Sequence, residues 1–189
     1  MMEKQLKLVV VGNAGVGKTS LLFAYTENRL IDGYTPTTVE NWALNINIEE
    51  KRYTINVFDT GGKEEYVSLR RLTYHLANAY IICFSMVDRK SLEACSTLWI
   101  SELSQNVASH VPIILVGTKD DLIDGVDSTV RVDPEEARRV AQSIGAVTFL
   151  QCSSLTLRGV KRVFDESLLA ALGRTAAVVE EQRICCLVI

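Results

Sequence analysis

The stretch that decides the fold is Leu6-Lys7-Leu8-Val9-Val10-Val11-Gly12-Asn13-Ala14-Gly15-Val16-Gly17-Lys18-Thr19. Its first half, Leu6–Val11, is an apolar run rich in β-branched residues, the pattern of a strand covered on both faces. Behind it, Lys18 to about Glu27 sets Leu21, Leu22 and Tyr25 at helical spacing. Between strand and helix, Gly12–Thr19 fits the phosphate-loop pattern G-x-x-x-x-G-K-T without a misfit. Glycines let backbone N–H groups turn inward around phosphate oxygens, and the helix start adds its positive end. Asn13, Ala14, Gly15, Val16, Gly17, Lys18, Thr19 and Ser20 are therefore candidate nucleotide contacts. Lys18 would reach the outer phosphates, and Thr19 would offer its hydroxyl to Mg²⁺. The competing reading is a tight turn that merely uses glycine. Four fixed positions, at an ordinary glycine usage of about 7%, argue against it. The loop by itself does not separate ATP from GTP.

Outward from this loop, strand and helix patterns alternate. Trp42, Leu44, Ile46 and Ile48 alternate with polar residues, as do Tyr53, Ile55 and Val57 after the charged turn Glu49–Arg52. That predicts a hairpin, the one antiparallel element. Ala79–Ser85, Pro112–Gly117 and Ala146–Gln151 read as further short strands. Helices are predicted at about Glu65–His75, Lys90–Val107, Pro134–Ile144 and Arg158–Leu172. Asp133-Pro134-Glu135-Glu136 is a helix start with an N-cap acid and Pro at the first position. After Gly173 periodicity fades, so residues 1–173 are expected to be one domain and 174–189 a flexible tail. Strands separated by helices imply right-handed crossovers and a mostly parallel sheet, with ligands at the carboxyl ends of the strands.

Composition narrows the function classes. The 189 residues fit a single domain, and 48% hydrophobic with 23% charged residues is ordinary for a globular chain. A net charge of −3 with no Lys/Arg block argues against a nucleic-acid partner. No 18 apolar residues run together, so no spanning helix is expected. The first apolar run is too short for a secretory signal, which predicts a cytoplasmic protein with reduced cysteines. Cys83, Cys95 and Cys152 fall in core-like segments and read as small buried hydrophobes.

Thr118-Lys119-Asp120-Asp121 follows the strand Pro112–Gly117. A carboxylate at Asp121 can accept from both the ring N–H and the exocyclic amine of guanine, a donor pair that adenine lacks. Lys119 can lay its stem along the base, with Thr118 and Leu122 beside it. Cys152-Ser153-Ser154-Leu155 ends the next strand, where a backbone N–H can meet the guanine carbonyl. In this order, and at strand ends, these segments point to GTP.

With these residues in place, the chain from Leu6 to Ile189 resembles a Rho/Rac-family small GTPase. The matching segments are the phosphate loop, Tyr34-Thr35-Pro36-Thr37, Asp59-Thr60-Gly61-Gly62, Thr118–Asp121 and Cys152–Leu155. Leu155-Thr156-Leu157-Arg158-Gly159-Val160 with Val163-Phe164-Asp165-Glu166 is similar to the Rho branch in particular. The resemblance implies an α/β P-loop NTPase, a three-layer sandwich whose six-stranded, mostly parallel sheet carries one antiparallel strand and five helices. It implies GTP/GDP and Mg²⁺ as ligands, with Thr19, Thr37 and Asp59 on the metal and Tyr34 and Pro36 against the nucleotide. Gly62 would donate its N–H to the γ-phosphate, beside Lys18 and Lys63 as catalytic residues. Effector proteins would read the switch segments Tyr34–Trp42 and Gly61–Arg71. Exchange factors, GTPase activators and a guanine-nucleotide dissociation inhibitor are further implied partners of a monomer. The family suggests actin and membrane regulation, but Thr38 and Val39 replace residues of its usual effector surface.

The chain departs from the family at four places: the first bears on partners that would read the missing insert, and the other three lie at the nucleotide and bear on mechanism. Leu122–Val132 is too short for the extra charged helix that Rho proteins carry. Lys63 stands where the family has Gln. Gln both donates to and accepts from the attacking water, whereas an ammonium only donates. Ala14 replaces a Gly beside the γ-phosphate, and its methyl would crowd the reacting water. Leu30 replaces a Phe that meets the base edge-on, which costs on the order of 1–3 kcal/mol if stacking values transfer. Lys63 and Ala14 predict impaired hydrolysis, and Leu30 predicts fast exchange. The alternative is a constitutively GTP-bound module that displays its switches, and a third reading, a metabolic ATPase or kinase, is opposed by Asp121. Finally, Cys186-Leu187-Val188-Ile189 is a C-a-a-X box, with geranylgeranyl favoured by the last Ile and Cys185 a candidate for palmitate. It would place the protein on the cytoplasmic face of a plasma or internal membrane.

Overall fold

The computed structural model describes residues 4–31, 33, 37–48, 51–106 and 111–173. The expected tail, Arg174–Ile189, with Cys185 and Cys186, lies outside them. Six strands form one sheet in the order β2-β3-β1-β4-β5-β6. They are β1 (Lys4–Gly12), β2 (Val39–Ile48), β3 (Lys51–Thr60), β4 (Ala79–Ser85), β5 (Ile113–Thr118) and β6 (Thr148–Gln151). β2 runs antiparallel to β3, and all other pairings are parallel. The hairpin is thus where the alternating pattern put it.

The apolar run of β1 is buried on both faces, and its side chains divide by parity. Leu6, Leu8 and Val10 join Leu21 and Leu22 of α1 (Lys18–Glu27) and Val163, Phe164 and Leu168 of α6 (Val160–Ala171). Val9 and Val11 face the opposite core, with Tyr74 of α2 (Val67–Tyr74) and Leu92 of α3 (Arg89–Ala94). Leu103 of α4 (Ile100–Asn106) and Ala137 of α5 (Pro134–Ser143) complete that layer. These two cores on either side of one sheet make the three-layer α/β sandwich. The six α-helical segments form five rods, because α3 passes through a π-helical turn, Cys95–Trp99, directly into α4. α5 starts as its sequence predicts, with the Asp133 carboxylate accepting from the Glu135 N–H at 2.7 Å and Pro134 in the first turn. Between Asp121 and α5 the chain holds a single 3₁₀ segment, Asp120–Gly125, and turns.

One buried charge cluster was not read from the sequence. Arg70 of α2 is 1% exposed and makes two bonds to Glu102 of α4, Nε to Oε1 at 2.8 Å and Nη2 to Oε2 at 2.7 Å. The Tyr74 hydroxyl donates to the same carboxylate at 2.6 Å, and Arg70 lies over the Trp99 ring at 4.9 Å. Burial by itself would raise the Glu102 pKa; the bonds from Arg70 and Tyr74 outweigh it and hold the carboxyl below its ordinary value. The pair's contribution is therefore present at neutral pH and is lost as pH falls below about 4.5 through the depressed folded value. Removing one partner of such a pair leaves the other charge buried without compensation. Glu102→Ala is expected to lose about 3–5 kcal/mol in urea unfolding at pH 7, and a loss under 1 kcal/mol would contradict this role.

Candidate functional site

Parallel strands bring their carboxyl ends to one edge of the sheet. The register pairs Val10 with Asp59, Gly12 with Cys83 and Ser85 with Thr118, so the ends of β1, β3, β4 and β5 converge. A cleft of about 400 Å³ opens there. Ala14, Gly15, Gly17, Lys18, Thr19 and Ser20 line it, together with Leu30, Thr37, Gly62, Lys63 and Lys119. These candidates, scattered along the sequence, meet at one opening; Asn13, Val16, Asp59, Thr118, Asp121, Leu122, Ser153, Ser154 and Leu155 are not among the residues that line it. Tyr34 and Pro36 lie outside the described residues.

The phosphate loop owes its path to Gly12, whose φ of 144° brings its Cα so close to β4 that a Cβ would overlap the Cys83 carbonyl. Lys18 is 7% exposed and its ammonium donates to the carbonyls of Gly12 at 2.8 Å and Asn13 at 2.9 Å. Burial lowers its pKa, and the nearby Asp59 carboxylate opposes that. An ammonium held by neutral carbonyls under a nest of backbone N–H groups suits a polyanion. The loop is braced from outside. Thr118 is 1% exposed and its hydroxyl reaches the carbonyls of Val16 and Phe84, and Lys119 donates to the Gly15 carbonyl at 2.7 Å. Thr118 therefore supports the loop from beneath.

Thr19, Thr37 and Asp59 come together as the resemblance implied. The Thr19 hydroxyl lies 2.7 Å from that of Thr37 and donates to Asp59 Oδ2 at 2.5 Å. Asp59 is fully buried, and its Oδ1 has no hydrogen-bond partner among the described residues. Burial raises its pKa to about 6, against the pull of the Thr19 bond and Lys18. No cluster of three or more His, Cys, Asp or Glu occurs among the described residues, so this is no all-protein metal cage. One carboxylate and two hydroxyls do suit Mg²⁺, which keeps waters and shares ligands with phosphate oxygens. Thr19, Thr37 and Asp59 fit as its protein-side ligands, and the cation would supply the charge that the orphaned oxygen lacks.

The switch segments also touch each other. The Gly61 N–H donates to the Thr38 carbonyl at 2.7 Å, and a Cβ on Gly61 would overlap the Thr37 carbonyl and the Tyr66 ring. The Arg70 guanidinium donates to the carbonyls of Lys63 at 2.6 Å and Gly61 at 3.3 Å. Trp99, stacked beneath Arg70, donates its indole N–H to Asn13 Oδ1 at 2.8 Å. The phosphate loop is thereby joined through Trp99 and Arg70 to the Gly61–Lys63 backbone. The Lys63 ammonium sits 3.5 Å from Glu65, both side chains about half exposed.

On the base side, Asp121 is half-buried, Ser153 and Ser154 are buried, and Leu122 and Leu155 are exposed at 45% and 60%. They stand on two adjacent loops beyond Lys119. Phe23 and Ile31 also line the cleft without having been read from the sequence, as do Glu40, Trp42 and Tyr66, which were expected only as parts of the switch segments. Phe23 and Trp42 meet edge to face at 6.4 Å. The alternation of β2 marked Trp42 as one face of a strand; nothing local aimed that face at Phe23.

The Asp59 environment has a measurable consequence. A carboxyl raised from 3.8 to about 6 costs the fold roughly 3 kcal/mol in its ionised form. This cost is complete above about pH 6 and disappears as pH falls below 3.8. In chelator-treated, nucleotide-free protein at pH 7.5, Asp59→Asn is expected to unfold at the same temperature as wild type or higher. With Mg²⁺ and nucleotide the order reverses. A destabilised apo variant would refute the assignment of that cost.

The fold and the cleft agree with a comparison against protein families. The model described as the Ras family matches residues 7–172. Members of that family bind guanine nucleotide with Mg²⁺ and act as switches toward effectors and regulators. With the phosphate loop, the Thr19–Thr37–Asp59 cluster and the two switch segments all inside the matched span, this chain belongs to the Ras family of small GTP-binding proteins.

Proposed function

We propose that the protein is a Rho-like switch that exchanges nucleotide quickly, hydrolyses GTP poorly and is held at a membrane by a lipid on its C-terminal box. The observation that carries the hydrolysis half is Lys63. Its side chain lines the cleft yet offers only donors, and it is paired with Glu65 at 3.5 Å. A half-exposed pair of this kind is worth little and holds the ammonium only loosely. The attacking water therefore has no acceptor at this position to orient it. Ala14 lines the same cleft, and its backbone nitrogen lies against Gly62. In single-turnover assays Lys63→Gln is expected to raise the hydrolysis rate at least about tenfold, equivalent to some 1.4 kcal/mol of barrier. Equal rates would sink this half of the proposal.

The exchange half rests on Leu30, which is 38% exposed at the cleft mouth beside Ile31. An aliphatic side chain gives up the aromatic contact with a purine. Leu30→Phe is expected to slow release of a fluorescent GDP analogue by roughly 5- to 150-fold, the equivalent of 1–3 kcal/mol. Wild-type release on a timescale of hours would contradict fast exchange.

The second reading, a module that displays its switches while holding GTP, is favoured by the contacts between those switches. The Gly61 N–H donates to the Thr38 carbonyl, and Thr37 meets the phosphate loop at Thr19, so the first switch is tied both to the second and to the loop. Rapid loading with slow hydrolysis would leave the GTP form dominant. Control would then pass to expression, sequestration and the lipid on Cys186, with Cys185 as a second acylation site.

A further inference from the structure

Two adjacent carboxylates follow Lys119, and the fold gives them different surroundings. Asp120 has a side chain only 5% exposed, and its Oδ2 lies 2.8 Å from Nη2 of Arg158, which is 67% exposed on its outer side. Its Oδ1 has no partner among the described residues. Asp121, one residue on, is only half-buried.

Arg158 belongs to the other base-side loop. That loop is tightly built. The Ser153 N–H donates to the Arg158 carbonyl at 2.9 Å, the Ser153 hydroxyl accepts from the Thr156 N–H at 3.0 Å, and the Asp120 N–H donates to the Cys152 carbonyl at 3.2 Å. On its other flank Lys119, with φ 58°, is tied to the phosphate loop through Gly15. Asp121 is therefore preceded by two residues fixed in opposite directions, one to the phosphate loop and one to the loop after β6.

We propose that the Asp120–Arg158 ion pair is a positioning device for guanine recognition, clamping the Thr118–Asp121 loop to the Cys152–Leu155 loop so that Asp121 meets the exocyclic amine. Asp120 touches no base; it acts through its neighbour. Removing Arg158 leaves a buried carboxylate without its countercharge, and the strand-end loops separate to rehydrate it. The inference rests on the reading of Asp121 as the base-selecting carboxylate.

The experiment measures release and equilibrium affinity of fluorescent GDP and IDP for the full chain with Mg²⁺, in wild type, Arg158→Ala, Arg158→Lys, Asp120→Asn and the Asp120→Asn/Arg158→Ala double variant. IDP lacks the 2-amino group, so a general loosening of the fold weakens both ligands alike, whereas a displaced Asp121 weakens GDP selectively. Arg158→Ala is expected to speed GDP release about tenfold and to lower the GDP-over-IDP preference by about threefold or more. Arg158→Lys keeps the charge and restores most of both. The double variant is expected to release GDP no faster than Arg158→Ala, because the two side chains act as one unit. Unchanged release, equal effects on GDP and IDP, or a double variant equal to the product of the singles would overturn the clamp while leaving the base reading intact. A wild type without preference for GDP over IDP would overturn the base reading itself, and the clamp with it.

Discussion

Lys18 is an ammonium taken almost wholly out of water and placed between two carbonyls of its own loop, about where Asp59, equally buried, holds an oxygen that nothing in the described protein satisfies. Neither group is at rest alone: burial lowers one pKa and raises the other. Isolated buried charge is costly, and proteins keep it where a partner charge, a metal or a ligand completes it. A polyphosphate would supply the anion for the ammonium, and a hydrated divalent cation would supply the charge for the carboxylate. The two groups thus suit a nucleotide with Mg²⁺, the ligands that members of the family bind.

That arrangement depends on the sheet. β1 and β3 lie side by side and parallel, so the loop after β1 and the Asp59 end of β3 reach the same edge at the same height. β4 and β5 extend that edge to Thr118. Two cores of opposite parity hold β1 from above and below, and the apolar run at Leu6–Val11 leaves it no alternative face. Precision at the cleft comes from rigid strand ends, with loops between them free to vary.

The switch segments are coupled to this frame by few but well-placed groups. Arg70 is anchored by Glu102, a carboxylate that the Tyr74 hydroxyl also holds, and its Nη1 donates to the carbonyls of Lys63 and Gly61. Trp99 carries the connection on to Asn13, and it is the π-helical turn at Cys95–Trp99 that joins its two flanking helices. π-turns are rare local irregularities inside α-helices and are frequent at functional sites. Here one places an indole between the phosphate loop and the segment that follows Asp59.

The sequence by itself determined the parts governed by local chemistry. The glycine spacing of Gly12–Thr19, the apolar run before it, the hairpin alternation and the Asp133–Pro134 cap each follow from backbone sterics or periodicity, and each stands where it was expected. The meeting of Thr19, Thr37 and Asp59 was legible only through family resemblance, since no spacing rule joins them. The tertiary structure alone decided the pairing of Arg70 with Glu102, the approach of Phe23 to Trp42 and the contact of Gly61 with Thr38. It also separated Asp120 from Asp121. As letters the two are equal; what distinguishes them is a left-handed Lys119 and an arginine from a distant loop that reaches only the first. Contacts between remote segments carry no local signal, because a buried charge is stabilised by whatever partner the fold delivers and not by its neighbours in the chain.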